Sequence, residues 1–269
     1  MLLWRGESGC VYKGRMHEHY LTASQPGCGI TVVIKMVNLK GFQGKKEKFL
    51  EKFHYLSQLR HPNLIKLFGY SFIEDRVILV SEFMCEGSLE YHLFTREKSS
   101  LNWKTRVKVA IGAARAIAFL HDLGKPVTYR DFKSSNILLD GDFNTKLSCF
   151  GLARDVRGSY GAAPEYVATG QWSTRCDVYN FGAVLLELIT GLRIYDPTRP
   201  AGKRYLMHWV KPYLNDEKIV PQIVDTGLKG KYPRNEAYEV AKICQQCRSE
   251  EPSLRPKMCE VVGVLEKLL

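Results

Sequence analysis

The chain contains 269 residues, of which 45% are hydrophobic and 25% are charged. This composition is ordinary for a globular protein and excludes wholesale disorder, and the length predicts one large domain or a two-lobed unit. The formal net charge of +11 favours acidic partners, anionic membrane surfaces or phosphate-bearing ligands. The basic residues are scattered without an RNA- or DNA-binding signature, so a nucleic-acid partner is not expected.

Neither a membrane span nor a secretion signal is predicted. The longest apolar stretch, residues 181–190, is about half a membrane span and contains Glu187. The first residues lack an apolar signal core and position 2 is not glycine, so neither secretion nor N-myristoylation is expected. Eight cysteines in such a chain indicate reduced cytosolic thiols. Cys244 and Cys247 form a lone CxxC in a helical pattern, which indicates a structural role because no second pair stands at metal spacing.

The first part of the chain is predicted to contain mainly strands. Residues 10–13 and 31–37 are β-rich runs separated by a loop that contains Gly and Pro. Residues 45–59 have apolar side chains at helical spacing, and the following His-Pro-Asn ends that helix because proline cannot continue it. Residues 64–70 and 77–83 again have strand character.

From residue 87 onward the pattern is mainly helical. Helices are predicted over residues 88–94, 103–121 and 177–191, with short strands at 137–139 and 146–148 between the second and the third. The change near residue 84 predicts a small β-rich lobe, residues 1–83, followed by a larger helical lobe, residues 84–269. The fold class expected is therefore α+β with two lobes.

Five short motifs occur in a definite order along the chain. They are Trp-Arg-Gly-Glu-Ser-Gly-Cys-Val at 4–11, Val-Val-Ile-Lys at 32–35, Tyr-Arg-Asp-Phe-Lys-Ser-Ser-Asn at 129–136, Cys-Phe-Gly at 149–151 and Ala-Pro-Glu at 163–165. This order resembles the signature set of protein kinases: a glycine-rich loop, a strand lysine, a catalytic loop, a metal-binding segment and an Ala-Pro-Glu. The resemblance implies one bilobal protein-kinase domain over residues 1–269.

Finer features are similar to those of plant receptor-like cytoplasmic kinases, which are Ser/Thr kinases. The similarity lies in Gly-Phe-Gln-Gly at 41–44, His-Pro-Asn-Leu at 61–64, Glu-Gly-Ser-Leu-Glu at 86–90, Tyr-Arg-Asp-Phe-Lys at 129–133 and the stretch Ala-Ala-Pro-Glu-Tyr-Val-Ala-Thr-Gly at 162–170. The resemblance implies a place in immune or growth signalling.

The same resemblance implies roles for individual residues. Asp131 matches the catalytic base, Lys133 the lysine near the transferred phosphate, and Asn136 a ligand of Mg²⁺. The positions matched to ATP binding are Gly6, Glu7, Ser8, Gly9 and Val11 in the glycine-rich loop, Lys35 at the α/β-phosphates, Glu82 and Met84 at the adenine, and Leu138 beneath it. Asp177 matches an aspartate that supports the catalytic loop, and Arg255 matches the ion-pair partner of Glu165.

Two departures from the family pattern affect the chemistry most. Cys149 occupies the position of the metal-binding aspartate, and a thiol is a poor ligand for a hard cation such as Mg²⁺. The alternative is that Asp155 or Asp142 supplies the missing oxygen. Lys52 falls where the family has the glutamate that pairs with the strand lysine, although a shift of one residue in the comparison would restore Glu51 there.

Three further departures weaken the expected nucleotide and substrate sites. Trp4 stands in place of the first glycine of the loop, and Val33 replaces the usual alanine above adenine. The segment from residue 152 to 162 is about half the usual length, and its only hydroxyl groups belong to Ser159 and Tyr160. Arg130 therefore has no evident phosphorylated partner in the sequence.

These features predict a kinase-fold signalling protein that is catalytically inactive, with weak or vestigial ATP binding and little Mg²⁺ binding. It is expected to act as a scaffold, decoy or allosteric partner of a receptor kinase or an active cytoplasmic kinase. The expected location is the cytoplasm, with membrane association only through a partner. Two alternatives remain: an unusual but active Ser/Thr kinase that transfers the ATP γ-phosphate to protein hydroxyls, and a basic protein that binds nucleic acid or a lipid surface.

Overall fold

The computed structural model describes residues 1–6, 9–25, 27–38, 54–55, 57–74, 76–95, 101–148 and 161–269. The chain divides into two compact units, Met1–Cys85 and Glu86–Leu269. The first unit is built on a β-sheet and the second mainly on helices, which confirms the predicted α+β fold class. The sequence placed the boundary between residues 83 and 84, two residues before the division in the structure.

The first unit contains a five-stranded antiparallel sheet. Its strands are β1 Leu2–Gly6, β2 Gly9–Met16, β3 Ile30–Asn38, β4 Leu67–Ile73 and β5 Arg76–Glu82. They lie in the order β1-β2-β3-β5-β4, so β3 is the central strand and pairs with β2 and β5. The sheet contributes Val32, Val77 and Leu79 to the buried core of this unit.

Two sequence predictions in this unit need correction. Residues 4–6 were assigned to the glycine-rich loop and residues 2–3 to no element, yet residues 2–6 form a strand that pairs with β2 from Leu2↔Tyr12 to Gly6↔Gly9. Residues 64–66 were predicted as strand, but the backbone N–H of Leu64 donates to the carbonyl of His61 in the His-Pro-Asn turn, so β4 begins only at Leu67. The predicted helix over 45–59 lies mostly outside the described residues; residues 54, 55, 57 and 58 are helical.

The second unit contains a small sheet and seven α-helices among the residues described. Strands β6 Gly87–Ser88, β7 Ile137–Leu139 and β8 Thr145–Leu147 form the sheet in the order β6-β7-β8. The helices are α1 Leu89–Phe94, α2 Trp103–His121, α3 Pro164–Thr169, α4 Thr174–Thr190, α5 Leu206–Val210, α6 Arg234–Cys247 and α7 Met258–Leu265. Short 3-10 helices occur at Ser134–Asn136, Ala201–Lys203, Lys211–Asn215, Val220–Gln222, Thr226–Leu228, Pro252–Leu254 and Glu266–Leu268.

Helix α4 is the centre of this unit, because every residue from Cys176 to Thr190 is buried. It ends at Gly191, which has a left-handed backbone with φ of 66°. A Cβ atom at this position would lie 2.5 Å from a carboxylate oxygen of Asp225, so only glycine fits both the backbone angle and the space. Helices α6 and α2 pack on α4, and α7 packs on α2.

Helix α2 has the bounds that the sequence predicts. It begins after Asn102, whose side-chain oxygen accepts a hydrogen bond of 2.9 Å from the backbone N–H of Thr105. It buries apolar residues on several faces, including Val109, Ala114 and Ile117. In the part of the chain that the structure describes, no helix is both long enough and apolar enough to cross a membrane.

Candidate active site

The residues predicted for the catalytic loop lie together in the second unit. The side-chain amide of Asn136 donates to the backbone carbonyl of Asp131 at 2.8 Å and to its carboxylate at 3.1 Å. The ammonium group of Lys133 lies 2.9 Å from the same carboxylate. One cationic and one polar donor therefore orient the Asp131 carboxylate, which remains 25% exposed.

Asp177 supports this loop from helix α4. Its fully buried carboxylate accepts hydrogen bonds from the backbone N–H groups of Tyr129 and Arg130, at 2.7 and 2.9 Å. The indole N–H of Trp172 donates at 2.9 Å, and the His121 ring nitrogen lies at 3.0 Å. These donors offset the cost of burying the charge. The supporting role implied for Asp177 is confirmed, whereas Trp172 and His121 were not predicted.

Aromatic packing fixes the other side of the loop. The ring of Phe132 lies 5.8 Å from that of Tyr129 and 5.6 Å from that of Phe181 on helix α4. All three side chains are buried. The Tyr129 hydroxyl donates to the carbonyl of Ser148, so the segment that leads to residue 149 is tied to the catalytic loop.

The metal position is only partly described. Asn136 uses its amide N–H₂ group toward Asp131, which leaves its carbonyl oxygen as one neutral ligand. The backbone N–H of Ser148 donates to the backbone carbonyl of Asn136 at 3.0 Å, and Cys149 follows directly in the chain but lies outside the described residues. Within the described segments no group of three or more His, Cys, Asp or Glu side chains forms a metal site. A thiol at position 149 is a poor ligand for Mg²⁺, which prefers oxygen ligands.

The predicted phosphate loop is a β-hairpin of the first unit. Gly6 and Gly9 pair at its tip, while Glu7 and Ser8 lie outside the described residues. Gly9 has φ of 139°, and a Cβ atom there would lie 1.8 Å from the carbonyl oxygen of Met36 on β3. Packing of the hairpin against β3 therefore requires glycine at this position, independently of any nucleotide.

Neighbouring strands of the same sheet carry the other predicted nucleotide residues. Lys35 on β3 pairs with Val11 on β2 and with Leu79 on β5. Trp4, at the position of the first glycine, pairs with Val11 from β1 and is 52% exposed.

The residues predicted to contact adenine in the first unit lie at the end of β5 and just after it. Glu82 is the last residue of that strand, and its carboxylate accepts a hydrogen bond of 2.6 Å from the backbone N–H of Lys66. Met84 is buried two residues later. Leu138, predicted to lie beneath the base, belongs to the second unit, where it pairs with Ser88 and Lys146 in the small sheet.

The predicted ion pair between Glu165 and Arg255 is present. The guanidinium group donates to both carboxylate oxygens, at 2.6 and 2.9 Å, with Arg255 fully buried and Glu165 24% exposed. The Cys176 thiol donates to the same carboxylate at 3.2 Å. Burial is the largest single influence and by itself would raise the pKa of Glu165, but the hydrogen bonds from Arg255, from the backbone and from Cys176, together with the charge of Arg255, outweigh it and the pKa is lowered. The pair therefore remains charged near neutral pH.

A second buried carboxyl group, Glu187, was not singled out by sequence reasoning. It lines a cavity beside the catalytic loop together with Asp131 and Lys133. Burial raises its pKa to about 7, although the backbone N–H of Ile194 donates to it at 3.0 Å. The only available signal was a glutamate in the otherwise uncharged stretch 181–190.

Within the described residues, Cys244 and Cys247 of the CxxC motif have a structural role. Cys244 and Cys247 are fully buried, and burial raises the pKa of Cys244 to about 12. Its thiol donates to the carbonyl of Gly182 at 3.2 Å, so it closes the contact between α6 and α4.

The fold and the catalytic loop are those of a protein kinase, and sequence comparison agrees. The profile of the protein tyrosine and serine/threonine kinase family matches residues 2–265, so the chain belongs to this family. Similar relatives from Arabidopsis thaliana are the proteins named probable serine/threonine-protein kinases PBL2 and PBL3, each 48% identical over 99% of this chain. Serine/threonine-protein kinase PBL36 of the same plant is also 48% identical over 99% of this chain. The chain spans 66% of the length of PBL2 and PBL3 and 59% of that of PBL36.

Proposed function

We propose that this protein is a signalling protein of the receptor-like cytoplasmic kinase type that has lost or nearly lost phosphoryl transfer and acts by binding protein partners. The observation that carries the proposal is the cysteine at position 149, where the family has the aspartate that binds Mg²⁺. Phosphoryl transfer depends on positioning and on charge neutralisation by the metal. With Asn136 as the remaining ligand, that neutralisation is weak.

A second change acts on the nucleotide itself. Lys52 stands where a glutamate would hold Lys35 against the phosphates. Two ammonium groups about 4 Å apart repel by roughly 4 kcal/mol at an effective dielectric of 20, so they do not adopt the arrangement of a lysine–glutamate pair. We therefore propose weak ATP binding with little coupling to Mg²⁺.

The short segment between residues 151 and 163 supports the same proposal. In kinases this segment forms the platform for the peptide substrate, and here it has about half the usual length. The groups that stabilise the large unit, in contrast, are kept, including Asp177 and the Glu165–Arg255 pair. A protein that retains its folded surface but not its transfer chemistry is suited to binding a receptor kinase or an active cytoplasmic kinase. Such binding would bring it to the inner face of the plasma membrane from the cytoplasm.

The second candidate function is an active Ser/Thr kinase. Two observations favour it: Asp131, Lys133 and Asn136 form a hydrogen-bonded group, and the relatives at 48% identity carry kinase names. An active enzyme would need an oxygen ligand other than residue 149, such as Asp142 or Asp155.

The two candidates differ in a phosphate-transfer assay. The chain and its Asp131→Asn variant are incubated with radiolabelled ATP, a generic protein substrate and either Mg²⁺ or Mn²⁺. We expect equal, background-level incorporation for both proteins, because the unmodified chain is proposed to lack phosphoryl transfer. Asp131→Asn is a suitable control because it removes the carboxylate base and changes little else. Incorporation that is at least tenfold higher for the unmodified chain with either metal would contradict the proposal and support the active kinase.

A repair series separates the individual changes. Cys149→Asp alone is expected to leave activity at background, because Lys52 and the short segment remain. Cys149→Asp combined with Lys52→Glu is expected to restore Mg²⁺-coupled ATP binding before any peptide phosphorylation. Robust phosphorylation by the single variant would show that the metal ligand is the only deficiency.

A further inference from the structure

The chain between α4 and α5 forms a closed loop, residues 196–204, on the second unit. Its two ends are joined by a hydrogen bond of 3.0 Å from the backbone N–H of Asp196 to the carbonyl of Arg204. A bridge between Tyr195 and Tyr205 and a bond of 2.9 Å from the Leu206 N–H to the Ile194 carbonyl continue this closure. The loop therefore has a defined base.

Arg199 fills the interior of the loop. Its side chain is only 14% exposed, its Nε atom lies 3.4 Å from the Asp196 carboxylate, and one terminal nitrogen donates to the carbonyl of Arg193 at 2.9 Å. The Asp196 carboxylate also accepts from the backbone N–H and the hydroxyl of Thr198, at 2.9 and 2.6 Å. The single acidic group of the loop is thus bound internally, and the loop is ordered before any partner binds.

The outer side of the loop carries positive charge that is not neutralised locally. Residues 193–211 include five Lys or Arg residues and one acidic residue. Arg193, Arg199 and Lys211 have carboxylate partners. Lys203 and Arg204 are exposed, and neither forms an ion pair among the residues that the structure describes. The side chain of Arg204 donates a hydrogen bond to the carbonyl of Arg199 at 3.4 Å, and the ammonium group of Lys203 lies 5.4 Å from the ring centre of Trp209.

An aromatic surface adjoins these two cations. The ring of Tyr205 is 41% exposed, lies 4.9 Å from that of Tyr195 and stacks on that of His208 at 5.2 Å. We use the term loop surface for Lys203, Arg204, Tyr205 and His208. It combines two exposed cationic groups, without a carboxylate partner among the described residues, with a flat ring that is able to cover the apolar stem of a bound side chain.

We propose that the loop surface binds an anionic peptide segment of a protein partner, in which the negative charge comes from phosphate or from consecutive carboxylates. A guanidinium group recognises phosphate and carboxylate in a bidentate manner, and an ammonium group adds a point charge. A peptide fits better than a bilayer, since lipid recognition usually uses four to eight clustered cations. A peptide also fits better than a nucleic acid, because two cations would contact too few phosphates of a strand to bind it firmly.

This inference rests on the proposed partner-binding role but uses no residue of the catalytic loop. Its test therefore omits ATP. Fluorescence anisotropy is measured with the whole chain and a labelled Glu-rich peptide, with and without a central phosphothreonine, at low ionic strength. The Lys203→Glu, Arg204→Glu double variant is compared with a matched control, Lys104→Glu with Lys125→Glu, which changes the charge equally at two other exposed lysines of the unit. Thermal melts verify that all three proteins are folded.

We expect the loop variant to bind the phosphorylated peptide about tenfold more weakly than the unmodified chain, about 1.4 kcal/mol. The control variant should lose less than about half of that free energy. A similar loss for the unphosphorylated peptide would identify carboxylates as the sufficient ligand, and a smaller loss would identify phosphate. Equal binding by the loop and control variants would overturn the proposal. So would tighter binding to phosphatidylserine vesicles or to poly(U) than to either peptide. Detection of phosphate transfer in the separate kinase assay would contradict the proposed loss of activity. It would not change the interpretation of the peptide-binding measurement.

Discussion

Arg130 and Asp177 are joined through the backbone: the Arg130 N–H donates to the buried carboxylate at 2.9 Å, while Arg130 holds a left-handed φ of 76°. A non-glycine residue in this region costs about 1 kcal/mol or more and persists only where its surroundings hold it. Asp177 is the group that holds it, and so the shape of the catalytic loop depends on a helix residue that lies 46 positions after Asp131.

We therefore expect Asp177→Asn to destabilise the protein strongly. An asparagine amide presents one N–H₂ group to an environment in which three of the four neighbouring groups, the backbone N–H of Tyr129 and of Arg130 and the indole of Trp172, are donors, so at least one buried N–H loses its acceptor. Hydrogen bonds to a charged acceptor contribute about 1.5–3 kcal/mol each, and the expected loss is about 3 kcal/mol or more. Urea unfolding measures it directly. A loss below about 1 kcal/mol would mean that the loop finds other acceptors.

The proposed lack of a metal site predicts that Mg²⁺ hardly affects nucleotide binding. Titration calorimetry with ATP, in excess Mg²⁺ or in chelator, should give dissociation constants within about twofold of each other. A tenfold tightening by Mg²⁺ corresponds to about 1.4 kcal/mol of coupling and would require a second oxygen ligand. Asp142→Asn and Asp155→Asn would then identify which carboxylate supplies it.

Two buried arginines contact the ring of Tyr179, and replacing them should change the free energy of unfolding by different amounts. Arg255 lies 4.6 Å from the ring centre of Tyr179 and is paired with Glu165. Removing its charge by Arg255→Met leaves the carboxylate unpaired, with an expected loss of about 3–5 kcal/mol.

Arg248 provides the matched comparison. It lies 3.6 Å from the same ring and has no carboxylate partner in the described part of the chain, its Nε atom is buried without a hydrogen bond, and burial lowers its pKa. Arg248→Met is expected to leave the free energy of unfolding within about 1 kcal/mol, because a well-packed apolar side chain removes the desolvation cost. Equal losses for the two variants in thermal unfolding would contradict the role assigned to the Glu165 pair.

The raised pKa of Glu187 predicts that the stability of the protein decreases as pH rises. Because burial raises its pKa from 4.5 to about 7, the folded state holds more protons than the unfolded state between these values. Stability from this group therefore falls as pH rises through that interval. The charges that face it are Glu90 and Arg193, and the donors are Ser134 and the Ile194 N–H.

Glu187→Gln removes this titration. Relative to the unmodified chain, the variant should be roughly 1–3 kcal/mol more stable at pH 8 and nearly equal at pH 5. Urea unfolding at both pH values provides the measurement, and Glu239→Gln, an exposed change in α6, serves as the control. A difference of the same size at both pH values would show that packing, and not ionisation, accounts for the effect.

An element is predictable from the sequence when the residues that define it are close together along the chain. Helix α2 was predicted to the residue because its helical pattern is a local signal, and the structure shows that Asn102 caps its first turn. Strand β1 was missed because a strand is defined by its partner: residues 2–6 become a strand only through pairing with β2. The start of β4 was placed too early because the bond from Leu64 to His61 extends a turn into an apolar run.

For the site, the sequence by itself determined chemical identity: a carboxylate at Asp131, an amide at Asn136 and a thiol at position 149, where the family has a carboxylate. No fold changes the preference of Mg²⁺ for oxygen over sulfur, so this consequence follows without coordinates. Only the tertiary structure decided the environments. Asp177 obtains its donors from residues 121, 129, 130 and 172, and Glu187 obtains its pKa from burial beneath the catalytic loop. These are properties of distant segments brought together, and solvent exclusion at such a point is not encoded in any local pattern.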